Sequence, residues 1–184
     1  MIKALAFIHK KKDLSDDDFK NYYEKNHAPL AISLLTFEGY ERNFVDTKIN
    51  PLFASLGSIS IFQYQSIESL NYIEEQMSSD AGDILREDEL KFMDVAKNYF
   101  VLTQSNQLTE LRFKKKIFYP SNDIESLNSL NSYESLKKIS DNIILDSTKM
   151  VGIAEYGITE EATFDDLEKL TQEHPKAIIT SCVY

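Results

Sequence analysis

An order of strand-like and helix-like segments that occurs twice is the feature that most constrains the fold of this chain. Each time the order is β-α-β-β-α-β, which is the split βαβ or ferredoxin-like arrangement. Four strands then form an antiparallel sheet with helices on one face, and the other face is apolar and needs a cover. A second sheet in the same chain can supply that cover, as dimerisation does for proteins with a single copy.

The first copy is predicted from period-two and β-branched segments and from apolar residues at helical spacing. Strands are expected over 2–8, 39–46, 58–65 and 97–107, and helices from Ser15 onward, over 66–77 and over 83–96, with loops at 49–57 and 78–83. The second and third strands should pair antiparallel.

The second copy begins after Thr109 and is shorter. Strands are expected over 111–119, 142–146, 149–157 and 177–184, and helices over 122–139 and 163–172. Thr163 is expected to cap the last helix, with Asp166 at its third position. The sequence therefore predicts an α+β protein of two ferredoxin-like repeats, residues 1–109 and 110–184, packed sheet to sheet as an intrachain barrel.

The first helix has a well-defined predicted start. Ser15 is a good N-cap whose hydroxyl can accept the amide of Asp18. Leu14 and Phe19 form the hydrophobic pair that fixes the entry angle, and the carboxylates at 16–18 suit the positive end of the helix dipole.

One face of this helix carries residues at helical spacing, namely Phe19, Tyr22, Tyr23, Asn26, His27 and Leu30. His27 is therefore expected to point inward. Because Pro29 disfavours the α conformation at Ala28, the helix should break or kink just after His27, which would free backbone groups beside the ring. Alternatively, His27 only closes the helix by donating to a carbonyl of its last turn.

Composition excludes several classes of function. A formal net charge of −10 argues against binding to nucleic acid or to an anionic membrane. No run of about 18 apolar residues is present, and the N-terminus lacks the charge order of a secretory signal, so a cytoplasmic protein is expected. The single cysteine, Cys182, cannot form an internal disulfide and is predicted to lie at a buried strand position.

Cofactor and metal motifs are missing from the sequence. The five glycines form no phosphate loop, there is no C-x-x-C or H-E-x-x-H, and the three histidines, His9, His27 and His174, lack metal-ligand spacing. We therefore expect no cofactor and no metal. His174, which precedes a proline, is predicted to lie in a surface turn.

The string L-S-x-x-x-F-x-x-Y-Y-x-x-x-H-A-P-L, from Leu14 to Leu30, resembles the signature of the EthD-like family in the dimeric α/β-barrel superfamily. The string E-D-E-L-K-F-M-D, from Glu87 to Asp94, and the strand after it resemble the C-terminal half of that family. The resemblance covers residues 2–109. The second half has no H-A-P, so a site is expected once per chain.

The resemblance implies a barrel that binds small hydrophobic, often aromatic or polyketide-like molecules between sheet and helices. Members of the superfamily include monooxygenases, lactone isomerases, polyketide cyclases and accessory proteins of degradation pathways, so the fold does not fix the reaction. The histidine at the helix end acts on a proton in several of them, and we carry this role onto His27. Other members bind haem, but nothing near His27 marks an axial ligand.

A neutral histidine in an apolar pocket is a suitable proton acceptor, and a nearby tyrosine could donate to the oxyanion that forms. Tyr23 is favoured over Tyr22 because it lies four residues before His27, and Tyr64 is a further candidate. Core packing is the alternative for each tyrosine. Asp94 could orient the imidazole, or it is a solvated helix carboxylate.

Four residues are expected to bind the ligand: Phe19, Tyr22, Phe62 and Tyr64. Phe62 and Tyr64 share one face of their strand, opposite Ile61 and Gln63, and the sequence leaves open which face lines the pocket.

Three functions are consistent with the sequence. The first is a cofactor-independent enzyme in which His27 abstracts a proton from an aromatic or polyketide-like substrate, leading to cyclisation, isomerisation or oxygenation. The second is a non-catalytic small-molecule binding or accessory protein of a degradation or biosynthetic pathway. The third is a scaffold that dimerises through apolar sheet surface. The chain is expected to be a monomer with an internal pseudo-dimer, or a homodimer of such monomers.

Overall fold

The structure is a computed structural model that describes residues 1–145 and 150–184. The first half contains β1 (Ile2–His9), α1 (Asp16–Tyr22), a π-helical turn (Tyr23–His27), α2 (Ala28–Leu34), β2 (Gly39–Val45), β3 (Leu56–Tyr64), α3 (Ser69–Met77), α4 (Asp80–Phe92) and β4 (Tyr99–Gln107). The second half contains β5 (Lys115–Ser121), β6 (Leu136–Ile144), β7 (Gly152–Ile158), α5 (Phe164–Glu173) and β8 (Ile178–Val183). Short 3₁₀ turns lie at Pro51–Phe53, Val95–Lys97 and Glu125–Asn128.

The eight strands close into one antiparallel barrel in the order β1-β3-β2-β8-β5-β7-β6-β4. The strands of each half are contiguous, and the halves meet where β2 pairs with β8 and β4 pairs with β6. Each half therefore supplies the partner for both edge strands of the other. This confirms the predicted α+β fold with an intrachain barrel.

Apolar side chains fill the barrel, and two further clusters lie between the barrel and its helices. The cluster inside the barrel draws on both halves and comprises Leu5, Phe7, Val45, Leu56, Ile59, Ile61, Phe118, Ile144, Ile153 and Ile178. In the first half the helix cluster centres on Phe19, Tyr23 and Phe92. Each buried side chain of this size contributes about 1.5–3 kcal/mol, so these clusters are the main source of stability.

Four buried charged side chains also connect the two halves. Lys116 on β5 donates to Glu41 on β2 at 2.7 Å and to Glu155 on β7 at 2.8 Å, and Lys3 on β1 donates to Glu155 at 3.3 Å. Burial alone would raise the pKa of Glu155, but Lys116 and Lys3 outweigh it and lower this pKa. The network therefore holds its charges in pairs within the barrel.

The first-half strands and the antiparallel pairing of β2 with β3 agree with the predictions. The loop predicted over 78–83 was wrong in extent. Ser79 accepts the amide of Ala81, so α4 already begins at Asp80. In the described part of the chain no helix is long and apolar enough to cross a membrane.

In the second half the helix predicted over 122–139 was wrong. The segment contains a short 3₁₀ turn, and β6 begins at Leu136. Aspartate and serine side chains of the segment bond to the nearby backbone instead: Asp123 accepts the amide of Ser126 at 2.7 Å, and Ser129 donates to the carbonyl of Ser126 at 2.7 Å. Such local bonds compete with a helix.

The remaining second-half predictions agree with the structure in the type of element, although β5 begins at Lys115 and not at residue 111. Cys182 lies on β8, as predicted, but it is only partly buried. Thr163 and Asp166 form the expected capping box at the start of α5. The strands predicted over 142–146 and 149–157 correspond to the end of β6 and to β7, and their residues 146 and 149 lie outside the described residues.

Candidate functional site

The helix that carries His27 starts as predicted and then changes its hydrogen-bonding pattern. Ser15 Oγ accepts the amide of Asp18 at 3.1 Å. The amide of Ala28 donates to the carbonyl of Tyr23, five residues earlier, so the turn that ends at His27 is π-helical. π-helical turns within α-helices are rare and are frequent at functional sites.

The expected break just after His27 was wrong. Ala28 is helical, with φ −63° and ψ −45°, and α2 continues to Leu34. Pro29 lies in the first turn of α2, where its missing amide is tolerated, and the irregularity precedes it. His27 therefore lies within a continuous helical segment.

His27 contacts a buried carboxylate of α4. Nδ1 of His27 lies 2.9 Å from Oδ2 of Asp88, and the residues are 5% and 4% exposed. The hydroxyl of Tyr22 donates to Oδ1 of Asp88 at 2.7 Å, and Lys91 Nζ donates to the same oxygen at 3.3 Å. Asp88 thus collects three hydrogen bonds from two helices.

These contacts favour a neutral imidazole beside an ionised carboxylate. Burial lowers the pKa of His27, and the opposite effect of Asp88 is smaller. Burial alone would raise the pKa of Asp88, but the bonds from Tyr22, His27 and Lys91 outweigh it and lower this pKa. With the Nδ1 proton directed at Asp88, Nε2 carries the lone pair that can accept a proton.

Aromatic rings enclose His27. Its ring centroid lies 5.1 Å from that of Tyr23 and 5.1 Å from that of Phe92. Phe19, a predicted ligand residue, is 1% exposed and packs against Phe92 at 5.4 Å and Phe44 at 6.3 Å. The structure thus places Phe19 in the core beneath the histidine.

The hydroxyl of Tyr23 bonds to the sheet. It lies 2.9 Å from Ser60 Oγ and accepts a hydrogen bond from the Tyr40 hydroxyl at 2.7 Å. Burial raises the pKa of Tyr23. The i to i+4 spacing therefore brings the rings of Tyr23 and His27 together, while Tyr22 shares the carboxylate partner of His27.

Asp94 does not orient the imidazole, and Asp88 takes that place. Asp94 lies beyond the end of α4, where its carboxylate pairs with Lys97 at 2.6 Å and its amide donates to the carbonyl of His9. A signal for Asp88 was present in the sequence: it lies between Leu85 and Phe92 at helical spacing, on the buried face of α4. Lys91, which also donates to Asp88, was not among the predicted site residues either.

Phe62 and Tyr64 lie on the same outer face of β3 as Ser60, and the structure does not bring them against His27. Phe62 stacks on Tyr40 at 4.6 Å. Tyr64 lines a surface hollow of about 400 Å³ between α3 and residues 36–38, which we call the α3 cleft.

A second hollow of about 390 Å³ lies against α1 and α4, and we call it the α1–α4 groove. Tyr22 and Phe92 form part of its wall, together with Lys25, Asn26 and Lys91. Tyr22 and Phe92 are also direct neighbours of the His27–Asp88 pair. This groove is therefore the hollow from which a small molecule could approach His27.

Residues 1–145 and 150–184 contain no cluster of three histidine, cysteine or acidic side chains that could hold a metal ion. Neither hollow is lined by a histidine. His174 lies at the end of α5, with its ring between Tyr119 and Tyr133.

Comparison with known proteins agrees with this fold. Residues 11–96 match the sequence model of the EthD domain family, whereas no curated protein sequence matches the chain. A solved structure from Fusobacterium nucleatum, provisionally named a monooxygenase, has 8% identity and a TM-score of 0.58 over 100% of this chain and 92% of its own. One from Lactobacillus acidophilus with the same provisional name has 11% identity and a TM-score of 0.50 over 99% of this chain and 92% of its own.

An ethyl tert-butyl ether D (EthD) family protein from Bacillus halodurans aligns with 19% identity and a TM-score of 0.42, over 56% of this chain and 98% of its own. At such identities the two longer alignments establish the fold alone, which is that of the dimeric α/β barrel.

Proposed function

We propose that the chain is a cofactor-independent enzyme whose His27 abstracts a proton from a small aromatic or polyketide-like substrate, because residues 11–96 match the EthD domain family and the chain has the dimeric α/β-barrel fold. The observation that supports this most is the 2.9 Å contact between His27 Nδ1 and the buried carboxylate of Asp88. A carboxylate in this position fixes the tautomer and stabilises the imidazolium that forms when Nε2 takes a proton.

The proposed step is proton transfer from carbon. Nε2 of His27 forms a bond to a hydrogen next to a carbonyl, and the electron pair of the broken C–H bond moves onto the carbonyl oxygen to give an enolate. Lys25 and Lys91 line the α1–α4 groove and can stabilise that negative charge. The enolate could then cyclise, be protonated at another carbon or react with oxygen, and these outcomes distinguish a cyclase, an isomerase and an oxygenase.

Hydrogen–deuterium exchange tests the step without knowledge of the product. Anthrone and 2-tetralone have acidic hydrogens next to a carbonyl or an aromatic ring, and NMR in D₂O measures how fast these exchange. We expect the protein to accelerate exchange and the His27→Gln variant to lose about 10²-fold or more of that acceleration. His174→Gln is the matched control and should keep it. Equal rates for the wild type and His27→Gln would contradict the proposal.

A second candidate function is non-catalytic binding of a small apolar molecule. Such binding is favoured by the burial of His27, which is only 5% exposed and lies behind Tyr22 and Phe92. In that case anthrone or 2-tetralone would shift the NMR resonances of the groove residues without any accelerated exchange.

We also propose that the protein is a monomer, because the edge strands of each half pair with the other half. Sedimentation velocity tests this directly, and a concentration-independent mass near 21.2 kDa is expected. A dimer that persists at low concentration would contradict it.

A further inference from the structure

The α3 cleft is formed by the end of β3, the segment 36–38 and one side of α3, and it does not include His27. Its volume of about 400 Å³ is within the usual range for small-molecule sites. Two hydrogen bonds hold its walls together: the amide of Thr36 donates to Gln76 Oε1 at 3.0 Å, and Gln76 Nε2 donates to Thr36 Oγ1 at 3.1 Å. The hollow is thus largely formed before any ligand arrives.

Aromatic side chains supply much of the lining. Phe37 is held edge-on against Phe62 at 5.5 Å and Tyr40 at 5.1 Å. Tyr72, on α3, is 67% exposed and lies at the rim. Tyr64 lies between these two segments, at the end of β3.

Tyr64 is a buried side chain with an unused polar group. It is 6% exposed, and its hydroxyl has no hydrogen-bond partner among residues 1–145 and 150–184. Burial raises the pKa of Tyr64 to about 12, so the phenol stays protonated at neutral pH. Because this hydroxyl lies in the wall of the cleft without a partner in the described part of the chain, a ligand in the cleft can form a hydrogen bond with it.

The charged residues that line the cleft are all acidic. Glu38 and Glu75 belong to the lining, which contains no lysine, arginine or histidine. Within the described residues neither carboxylate forms an ion pair. By contrast, the α1–α4 groove contains two lysines, so the two hollows favour ligands of different charge.

We propose that the α3 cleft binds a small aromatic ammonium compound, whose ring contacts Phe37 and Tyr72 while its cation interacts with Glu38, Glu75 and the oxygen of Tyr64. Aromatic faces attract cations, and nearby carboxylates add to that attraction. The site is independent of the proton transfer proposed for His27, because none of its residues contacts the His27–Asp88 pair.

Binding of 2-phenylethylammonium to the full chain tests the proposal. Titration followed by NMR should give saturable shifts at Tyr64 and α3. The neutral 2-phenylethanol and the anionic phenylacetate should bind roughly threefold to tenfold more weakly or not at all. The proposal is overturned if 2-phenylethylammonium does not bind, or if 2-phenylethanol binds equally well.

Paired variants test whether 2-phenylethylammonium binds in the cleft. Glu75→Gln should weaken binding of 2-phenylethylammonium roughly threefold to tenfold, whereas Glu74→Gln, on the same helix but outside the lining, should leave it unchanged. Tyr64→Phe removes only the hydroxyl and should also weaken binding. Equal effects of Glu75→Gln and Glu74→Gln would overturn the proposal. His27→Gln should bind 2-phenylethylammonium like the wild type, which separates this proposal from the proposed enzyme activity.

Discussion

Asp88 accepts hydrogen bonds from His27 at 2.9 Å and from Tyr22 at 2.7 Å, so one carboxylate of α4 holds two side chains of the helical segment that carries the histidine. We expect Asp88→Asn to lower the pKa of His27 further, because the carboxylate raises it. The variant should also lose about 1–3 kcal/mol of unfolding free energy, as weakened buried hydrogen bonds do. NMR titration of the imidazole and urea unfolding measure the two effects.

Asp94→Asn is the control for this experiment. The Asp94 carboxylate is 33% exposed and pairs with the exposed Lys97, so its loss should cost less than about 1 kcal/mol and leave the pKa of His27 unchanged. A larger change in this pKa for Asp94→Asn than for Asp88→Asn would reverse the assignment of the partner.

His27 should make the stability of the protein depend on pH. Its pKa is lowered in the folded protein, so in the window below about pH 6.5 the unfolded chain binds the proton more readily. The free energy of unfolding should therefore fall as the pH drops through that window and be fully recovered above it. Thermal unfolding between pH 7.5 and pH 5 measures the slope, and His27→Gln should flatten it. An unchanged slope in that variant would show that other groups cause the dependence.

Sequence reasoning succeeded where the controlling contacts are local. Ser15 and Thr163 bond to amides three residues away, so their helices could be predicted from a few neighbouring residues. The helix predicted over 122–139 is absent, because the spacing of Leu127 and Leu130 fits a helix but aspartate and serine side chains bond to the backbone in turns.

The choice between Asp88 and Asp94 was a different kind of failure. Both residues lie in the string from Glu87 to Asp94, and the partner of His27 depends on which turn of α4 packs against the segment that carries the histidine. The spacing of Leu85 and Phe92 indicates the turn that carries Asp88, whereas Asp94 lies beyond the end of α4. The halves are joined by two long-range strand pairings, β2 with β8 and β4 with β6. The sequence predicted that the two sheets pack together, but it did not predict these pairings or their register.

Lys116→Met should destabilise the barrel strongly. Lys116 is 3% exposed and is the shared partner of Glu41 and Glu155, so its loss leaves two buried carboxylates without their main cation. Breaking such a buried pair costs about 3–5 kcal/mol, which urea unfolding can measure.

The control is Lys169→Met, in which a lysine that is 75% exposed loses a 3.9 Å contact with Glu173, and less than about 1 kcal/mol is expected. Adding Glu155→Gln to Lys116→Met should recover part of the loss, because it removes one of the unpaired charges. If Lys116→Met cost no more than Lys169→Met, the network would be irrelevant to stability.

Gly57→Ala should loosen the packing beneath His27. A Cβ at Gly57 would lie 2.5 Å from Cε1 and 2.6 Å from Cζ of Phe19, whose ring is fixed between Tyr23 and Phe92. Because that ring cannot move away, we expect a loss of about 1–3 kcal/mol in urea unfolding and a shift of the His27 imidazole resonances.

Gly39→Ala is the matched control for this substitution. Its Cβ would meet the end of the Gln63 side chain at 2.8 Å, and a flexible side chain can move aside, so little stability should be lost. Phe19→Leu combined with Gly57→Ala should recover part of the stability, since the smaller side chain makes room for the methyl group. Additive losses in the double variant would mean that Phe19 is not what Gly57 accommodates.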